Sequence, residues 1–243
     1  MVDYTLVIIT LGSFLAAFVN AAFATGGVYL LLAAGSTVFP MTVVIPLMPL
    51  FAFSSLLGRL ALFWKDIVWR IVLAVFVGSI FGVYFGVNVF VVLPEALLSI
   101  GIGILLIILI WFGNFKLPIN ASKIFVIVGM VHSFIATVFG VGAFLQPAIL
   151  RTELIKMQIT GTLAACMLSM DIFKVFWFSN IGFDYLSYLP HILGATVAGL
   201  VGTWLGKRTT RMVSEQTFRR VFKFIVTLIA LRLLFKGFNI LIF

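Results

Sequence analysis

The chain has 243 residues, of which 63% are hydrophobic and 9% are charged, and its formal net charge is +9. A soluble domain carries about 25% charged residues, so this composition excludes a soluble globular protein and predicts a multi-pass α-helical membrane protein. The single cysteine, Cys166, excludes an internal disulfide and a cysteine-cluster metal site, and the two histidines lack metal-ligand spacing. We therefore predict no metal and no cofactor. The basic balance fits membrane orientation, so no nucleic-acid partner is expected.

Eight helical segments are predicted in chain order. They fall at 4–33, 41–63, 67–92 and 95–115 in the first half, and at 121–150, 157–178, 185–206 and 215–241 in the second. Most of them contain a charge-free run of about 20 residues, which is the length that crosses a bilayer core. The two halves repeat the same order of features, so we divide the chain into repeats at 1–116 and 117–243 that form one integrated domain.

The first segment of each half contains a glycine motif inside a long apolar run. The motifs are FATGGVYLLL (23–32) and FGVGAFLQPA (139–148), and Gly26 and Gly142 are 116 residues apart. A helix that is broken at membrane depth leaves backbone N–H groups free at the start of its second part, and such groups attract anions. We therefore expect an anion site at the two breaks. The alternative is that these glycines are kinks or close-packing points only.

The third segment of each half carries small residues at every fourth position. They are Gly78, Gly82 and Gly86 in the first half, and Ala198, Gly202 and Gly206 in the second. Small residues at this spacing let helices approach closely in lipid. The pattern suits packing within the chain and packing between subunits equally, so a homo-oligomer remains open.

Basic residues are distributed oppositely in the two halves. The loop after the second segment contains Lys65 and Arg70, whereas the corresponding loop of the second half contains only Asp184. The loop after the third segment contains only Glu95, whereas the 207–220 stretch contains five basic residues. Because Lys and Arg favour the cytoplasmic side, the halves are predicted to face opposite ways, as an inverted repeat. Each broken first segment then enters and returns, either as a re-entrant hairpin or as two crossings.

The predicted fold is therefore an all-α polytopic membrane protein with two inverted repeats of about four helical segments each. In each repeat the first segment is broken at the glycine motif. In this arrangement the basic loops lie on one side of the membrane, and Asp3, Glu95 and Asp184 lie on the other.

Four stretches carry a resemblance to a known family. They are GVGAFLQPAIL (140–150), TGGVYLLLA (25–33), QITGTLAA (158–165) and LGKRTTRMVSEQTFRRVFKFIVTLIALRLL (205–234). The chain resembles the TauE/SafE sulfite exporter family of membrane permeases nearly end to end, although its first glycine motif lacks the family's proline. The resemblance implies a secondary transporter, not an enzyme, that moves a small sulfur-containing anion such as sulfite or an organosulfonate by alternating access. It also implies a multi-pass protein of the plasma or inner membrane of a prokaryote, with the bilayer and the anion as partners.

Ionisable groups inside membrane spans are costly and are therefore functional candidates. Asp171 and Lys174 lie three residues apart on one helix face, where they can pair. In the functional interpretation Lys174 supplies charge to an anion, and Asp171 pairs with it or relays a proton. In the structural interpretation they are only a neutralised pair. His132 is a second candidate proton relay, or else a hydrogen-bonded core residue. Arg59 serves the site or extends to the membrane surface.

The candidate substrate-binding residues combine the glycine motifs with these charged groups and with neutral hydrogen-bonding side chains. They are Thr25, Gly26, Gly27, Arg59, Gly140, Gly142, Gln146, Pro147, Thr160, Thr162, Asp171 and Lys174. No catalytic residue is predicted.

Two other function classes remain as alternatives. A passive anion channel would use the same broken helices. An intramembrane enzyme would need a dyad such as Ser54 or Ser55 with Lys174, and the scarcity of His, Cys and acidic residues argues against it.

Overall fold

The structure is a computed structural model that describes residues 3–23, 26–112, 122–142, 144–209 and 215–242. Over these residues the chain forms ten α-helices and two short 3-10 turns, and it has no strand. The helices are α1 (Tyr4–Phe23), α2 (Gly27–Val38), α3 (Met41–Leu62), α4 (Trp69–Val92), α5 (Glu95–Phe112), α6 (Ser122–Phe139), α7 (Leu145–Ile149), α8 (Lys156–Asn180), α9 (Leu189–Thr209) and α10 (Glu215–Ile242). Six described helices are long and apolar enough to cross a bilayer: α1, α3, α4, α8, α9 and α10. The predicted all-α, multi-pass membrane fold is confirmed.

Both glycine motifs interrupt a helix, as predicted. Gly26 has a φ of 98° and Gly140 a φ of 74°, a left-handed conformation that glycine adopts at little cost. The first predicted segment is therefore two helices, α1 and α2, and α2 continues to Val38 rather than ending at residue 33. The fifth predicted segment becomes α6 and the five-residue α7. Each half thus has five helices rather than four over the described residues. The predicted repeat boundary at 116/117 lies outside them.

The helices group into two compact units, and each unit contains helices from both halves of the sequence. Unit 1 consists of Met1–Ser55, Leu93–Gly113 and Asp184–Phe243. Unit 2 consists of Leu56–Val92 and Asn114–Phe183.

In unit 1, α1 and α2 pack side by side as an antiparallel hairpin. Gly12 of α1 lies against Ala34 of α2, and Gly27 at the start of α2 lies against Ala16 and Asn20 of α1. The chain therefore enters and returns within the first predicted segment. At 1.5 Å per residue, the 12 residues of α2 make a helix of about 18 Å, which is too short to cross a bilayer core of about 30 Å alone.

The starts of α1 and α9 meet at one end of unit 1. His191 Nε2 lies 2.8 Å from Thr5 Oγ1 and 3.8 Å from the carboxylate of Asp3. The His191 ring also contacts the ring of Phe39, which follows α2, with a centroid distance of 5.2 Å. The return of α2 therefore brings the chain back to the end at which α1 began.

Glu95 connects three more helix ends at this same place, which are the start of α3, the start of its own helix α5 and the end of α10. Its carboxylate accepts hydrogen bonds from the N–H groups of Met41 and Thr42, at 2.8 and 3.2 Å, and so caps the start of α3. It also forms an ion pair of 3.0 Å with Lys236 near the end of α10. We call this end of unit 1 the acidic end, because Asp3 and Glu95 lie there and because Tyr188, four residues after Asp184, contacts the ring of Phe39.

Helices α5 and α10 run antiparallel in unit 1. Near the acidic end, Gly237 lies against Ala96 and Ile100. At the opposite end of α5, Trp111 Nε1 donates a hydrogen bond of 3.1 Å to Thr227 Oγ1. Helix α5 therefore starts where α10 finishes.

In unit 2, α4, α6 and α8 run parallel. Gly78 of α4 lies against Val126 of α6, and Gly86 lies against Thr137. Helix α4 also contacts α8, since the ring of Phe76 contacts Phe173 and the ring of Phe90 contacts Phe178. All three helices start at the end of unit 2 that bears Lys65 and Arg70.

The same small-residue contacts occur in both units. Gly82 of α4 meets Met130 and Ser133 of α6, and Gly202 of α9 meets Phe14 and Ala17 of α1. The offsets are 202 − 82 = 120, 130 − 14 = 116 and 133 − 17 = 116. A Cβ at either glycine would collide with backbone atoms of the neighbouring helix. The small residues identified in the sequence therefore serve close packing inside each unit.

Candidate functional site

The first break is held by the side chain of Asn20. The N–H group of Gly27, the first residue of α2, donates a hydrogen bond of 2.9 Å to Asn20 Oδ1. A Cβ at Gly27 would collide with the Asn20 side chain and with the carbonyl oxygen of Ala16. Glycine at position 27 therefore allows the helix start to approach α1 closely enough for this bond.

The second break is held in the same way by His132 of α6. His132 Nδ1 accepts hydrogen bonds from the N–H groups of Phe144 and Leu145, at 3.3 and 3.1 Å. The ring is buried, and Gly142 lies so close to it that a Cβ there would collide with the imidazole. Because Nδ1 acts as an acceptor, the ring is in its neutral form with the proton on Nε2.

These bonds correct one expectation from the sequence. We expected the breaks to leave N–H groups free to meet an anion, but the N–H groups of Gly27, Phe144 and Leu145 already have acceptors within the protein. The sequence does contain a signal for these acceptors, because a side chain with a hydrogen-bond acceptor, Asn20 or His132, precedes each glycine motif in a largely apolar helix.

Helix α8 places a buried ion pair in unit 2. Lys174 Nζ lies 3.4 Å from the carboxylate of Asp171, and the two side chains are 6% and 14% exposed. Spacing of three residues puts both groups on one face of the helix. Lys174 also interacts electrostatically with His132. Unit 2 therefore brings together four of the predicted site residues: His132, Gly142, Asp171 and Lys174.

The QITGTLAA stretch forms the start of α8 and docks it on the connection between α3 and α4. Gln158 accepts a hydrogen bond of 3.2 Å from the N–H group of Ile155 and so caps the helix. Gly161 packs against Phe63, and the buried hydroxyl of Thr162 accepts a bond of 3.0 Å from the N–H group of Val68. The Thr162 hydroxyl therefore links α8 to the start of α4.

The remaining candidates occupy different places in the two units. Gly26 and Gly27 belong to unit 1, whereas all the other described candidates belong to unit 2. Gln146 and Pro147 are half-buried in α7, directly after Leu145, and Thr160 is half-buried in the first turns of α8. Arg59 is half-buried in the last turn of α3, and its side chain interacts with another group. Thr25 lies outside the described residues.

Comparison with known proteins identifies the family. The family model described as sulfite exporter TauE/SafE matches residues 9–233, a range that includes both breaks and the Asp171–Lys174 pair. No curated protein and no solved structure matches the chain. With its six candidate spans, the protein is a multi-pass membrane transporter for sulfite-type anions. The chain belongs to the sulfite exporter TauE/SafE family.

Proposed function

We propose that this protein is a secondary transporter that carries one small sulfur oxyanion, sulfite or an organosulfonate, across the plasma or inner membrane of a prokaryotic cell. The observation that carries the proposal is the buried ammonium group of Lys174 in unit 2. An ammonium group has three N–H donors, and the contact with Asp171 uses one side of it. The other donors then serve the oxygens of an anion, with Asp171 holding Lys174 in place while the site is empty.

We further propose that the protein works by alternating access between two inverted repeats. Helices α5 and α10 begin at Glu95 and Glu215, which are equivalent by the offset of 120 residues, and they run antiparallel within unit 1. Helices α1, α3, α5 and α9 start from the acidic end of unit 1, and α4, α6 and α8 start from the Lys65–Arg70 end of unit 2. Corresponding loops of the two halves carry opposite charge, and basic residues favour the cytoplasmic side, which supports an inverted relation between the repeats. Inverted repeats of this kind support rocking around a fixed site.

Proton coupling forms the last part of this proposal. Asp171 and His132 are the two candidate relays, since both are titratable groups in contact with or in the electrostatic range of Lys174. An imposed pH gradient changes the initial rate of anion uptake if protons move with the anion. An uptake rate that is independent of the pH gradient would refute proton coupling but not the carrier proposal.

Uptake by proteoliposomes tests the carrier proposal. The panel contains sulfite, sulfoacetate, thiosulfate, sulfate, taurine and chloride. It is measured for the wild type, for Lys174→Ala, and for Lys65→Ala as a matched control that removes an exposed lysine from the same unit. We expect saturable uptake with counterflow of one sulfur oxyanion, lost in Lys174→Ala and kept in Lys65→Ala. Flux without saturation or counterflow indicates a passive channel. Folded protein without flux for any member refutes the proposed substrate class.

A further inference from the structure

We propose that Asn20 and His132 are paired positioning residues that set the backbone at the two glycine breaks, and that His132 makes the second break sensitive to protons. The inference deepens the proposed function, on which it rests for its transport assay. It assigns Asn20 a role and gives His132 a task that differs from passing a proton along a relay.

The two side chains perform the same geometric task. Each lies on the helix that precedes a break, and each accepts a hydrogen bond from the first N–H groups after the break. Each also faces a glycine, Gly27 or Gly142, at which a Cβ would collide with it. Asn Oδ1 and His Nδ1 are both bonded to Cγ, so the acceptor atom is equally far from the backbone in both residues. The shared feature is therefore an acceptor at this distance, and proton transfer is not needed for it.

The two residues differ in their response to acid. His132 Nδ1 accepts the bonds from Phe144 and Leu145 only while it carries no proton, because a protonated imidazole is a donor at both nitrogens. Protonation therefore breaks both bonds and releases the start of α7. The Asn20 side chain does not take up a proton on acidification, so the first break keeps its hydrogen bond.

The surroundings of His132 connect this release to the charged pair. Among the described residues, the charged group that acts electrostatically on the ring is Lys174 of α8, which is paired with Asp171, and α7 itself contains no ionisable side chain. The ring therefore senses the charge on Lys174 and the charge of an anion bound to it. Release of α7 and occupancy of the Lys174 site then depend on each other.

Hydrogen–deuterium exchange of the folded protein in nanodiscs tests this role without any transport measurement. His132→Asn keeps an acceptor at the δ1 position and cannot titrate, whereas His132→Gln places its acceptor one bond farther from the backbone. We expect the amides of residues 144–145 to exchange about tenfold faster in His132→Gln and at the wild-type rate in His132→Asn, because a buried N–H group that loses its acceptor is no longer protected by a hydrogen bond. Asn20→Ala accelerates exchange at Gly27 and leaves residues 144–145 unchanged.

The pH profile separates a positioning role from simple packing. After correction for intrinsic exchange, we expect the wild type to lose protection at residues 144–145 on acidification and His132→Asn to keep it. Equal exchange in His132→Asn and His132→Gln overturns the proposal, and so does an unchanged acid response in His132→Asn. If His132→Gln exchanges faster throughout both units, this variant is destabilised as a whole. The positioning role is then tested by whether His132→Asn restores the wild-type rate and has a flat pH profile. Sulfite flux is measured in parallel. If the wild type shows no sulfite flux, the proposed transport function is refuted. The exchange data test the positioning role independently of that result.

Discussion

The Asp171–Lys174 pair predicts that removing one charge harms the fold more than removing both. The two groups are 3.4 Å apart and 6% to 14% exposed, so neither charge reaches water when its partner is lost. Removing one partner of a buried pair costs about 3–5 kcal/mol, whereas replacing both with apolar groups of similar size is close to neutral. We therefore expect Lys174→Met to lower the free energy of unfolding by about 3 kcal/mol or more, and Asp171→Leu/Lys174→Met to lie within about 1 kcal/mol of the wild type.

Paired stability and flux measurements test both interpretations of the pair. The free energy of unfolding is measured in detergent micelles, and anion flux is measured in proteoliposomes, for the single variant, the double variant and Lys65→Met. The exposed Lys65 serves as the control and should change stability by less than about 0.5 kcal/mol. If Lys174 binds the anion, the double variant is stable but inactive. If the pair is purely structural, the double variant recovers both the stability and the anion flux that the single variant loses.

One result would refute the reasoning about the pair. A Lys174→Met protein that is as stable as the wild type would mean that the two charges do not depend on each other in the folded state. A double variant as unstable as the single variant would lead to the same conclusion, because the loss would then come from packing of the Lys174 stem rather than from an unpaired charge.

The remaining predictions concern the helix contacts and the acidic end. Gly82→Ala should lower the free energy of unfolding by about 1–3 kcal/mol, because its Cβ would collide with the backbone of α6; the control Gly58→Ala has open space around it and should be neutral or stabilising. Glu95→Ala should cost about 1–3 kcal/mol, since it removes the acceptor for two N–H groups of α3, and Lys236→Met should cost less because only the ion pair is lost; equal losses in thermal unfolding would contradict the capping role. The Ser187 hydroxyl and the N–H of Leu186 hold the pKa of Asp184 below its usual value. The resulting stabilisation is complete above the unfolded-state pKa of about 3.9 and is lost as pH falls through the lower folded-state pKa; Asp184→Asn should show a flatter acid limb in unfolding against pH.

Hydropathy and charge predicted the framework of the fold. The positions of the two breaks followed from the glycine motifs in apolar runs, although glycine in such a run also serves close packing within an unbroken helix, as in α4. The charge of the loops also predicted that Asp3, Glu95 and Asp184 share one side of the membrane; the structure groups them at the acidic end of unit 1, and the membrane side stays a prediction. Both signals can be read from one segment at a time, because each reflects only the surroundings that this segment requires.

The partners of polar groups were beyond the reach of such signals. Glu95 caps a helix that starts 54 residues earlier in the chain, and Thr162 accepts a bond from an N–H group 94 residues away. These pairings depend on how the helices pack in three dimensions, which periodicity does not record. The same limit explains the wrong expectation for the breaks. The sequence indicated that N–H groups would be released, but only the return of α2 and α7 along the preceding helices brings Asn20 and His132 to them.

The offset between the halves shows where the two breaks differ chemically. With the offset of 116 residues, Asp171 corresponds to Ser55 (171 − 116 = 55) and Lys174 corresponds to Gly58 (174 − 116 = 58). The small-residue contacts are related by offsets of 116 residues between α1 and α6 and of 120 residues between α4 and α9, so these helix contacts occur in both units, whereas neither Ser55 nor Gly58 carries a charge. The acceptor at each break also differs in chemistry, being the neutral Asn20 in unit 1 and the titratable His132 in unit 2. The helix contacts are thus shared by both units, whereas the buried ion pair and the titratable acceptor lie in unit 2, which is why the proposed transport site is assigned to unit 2.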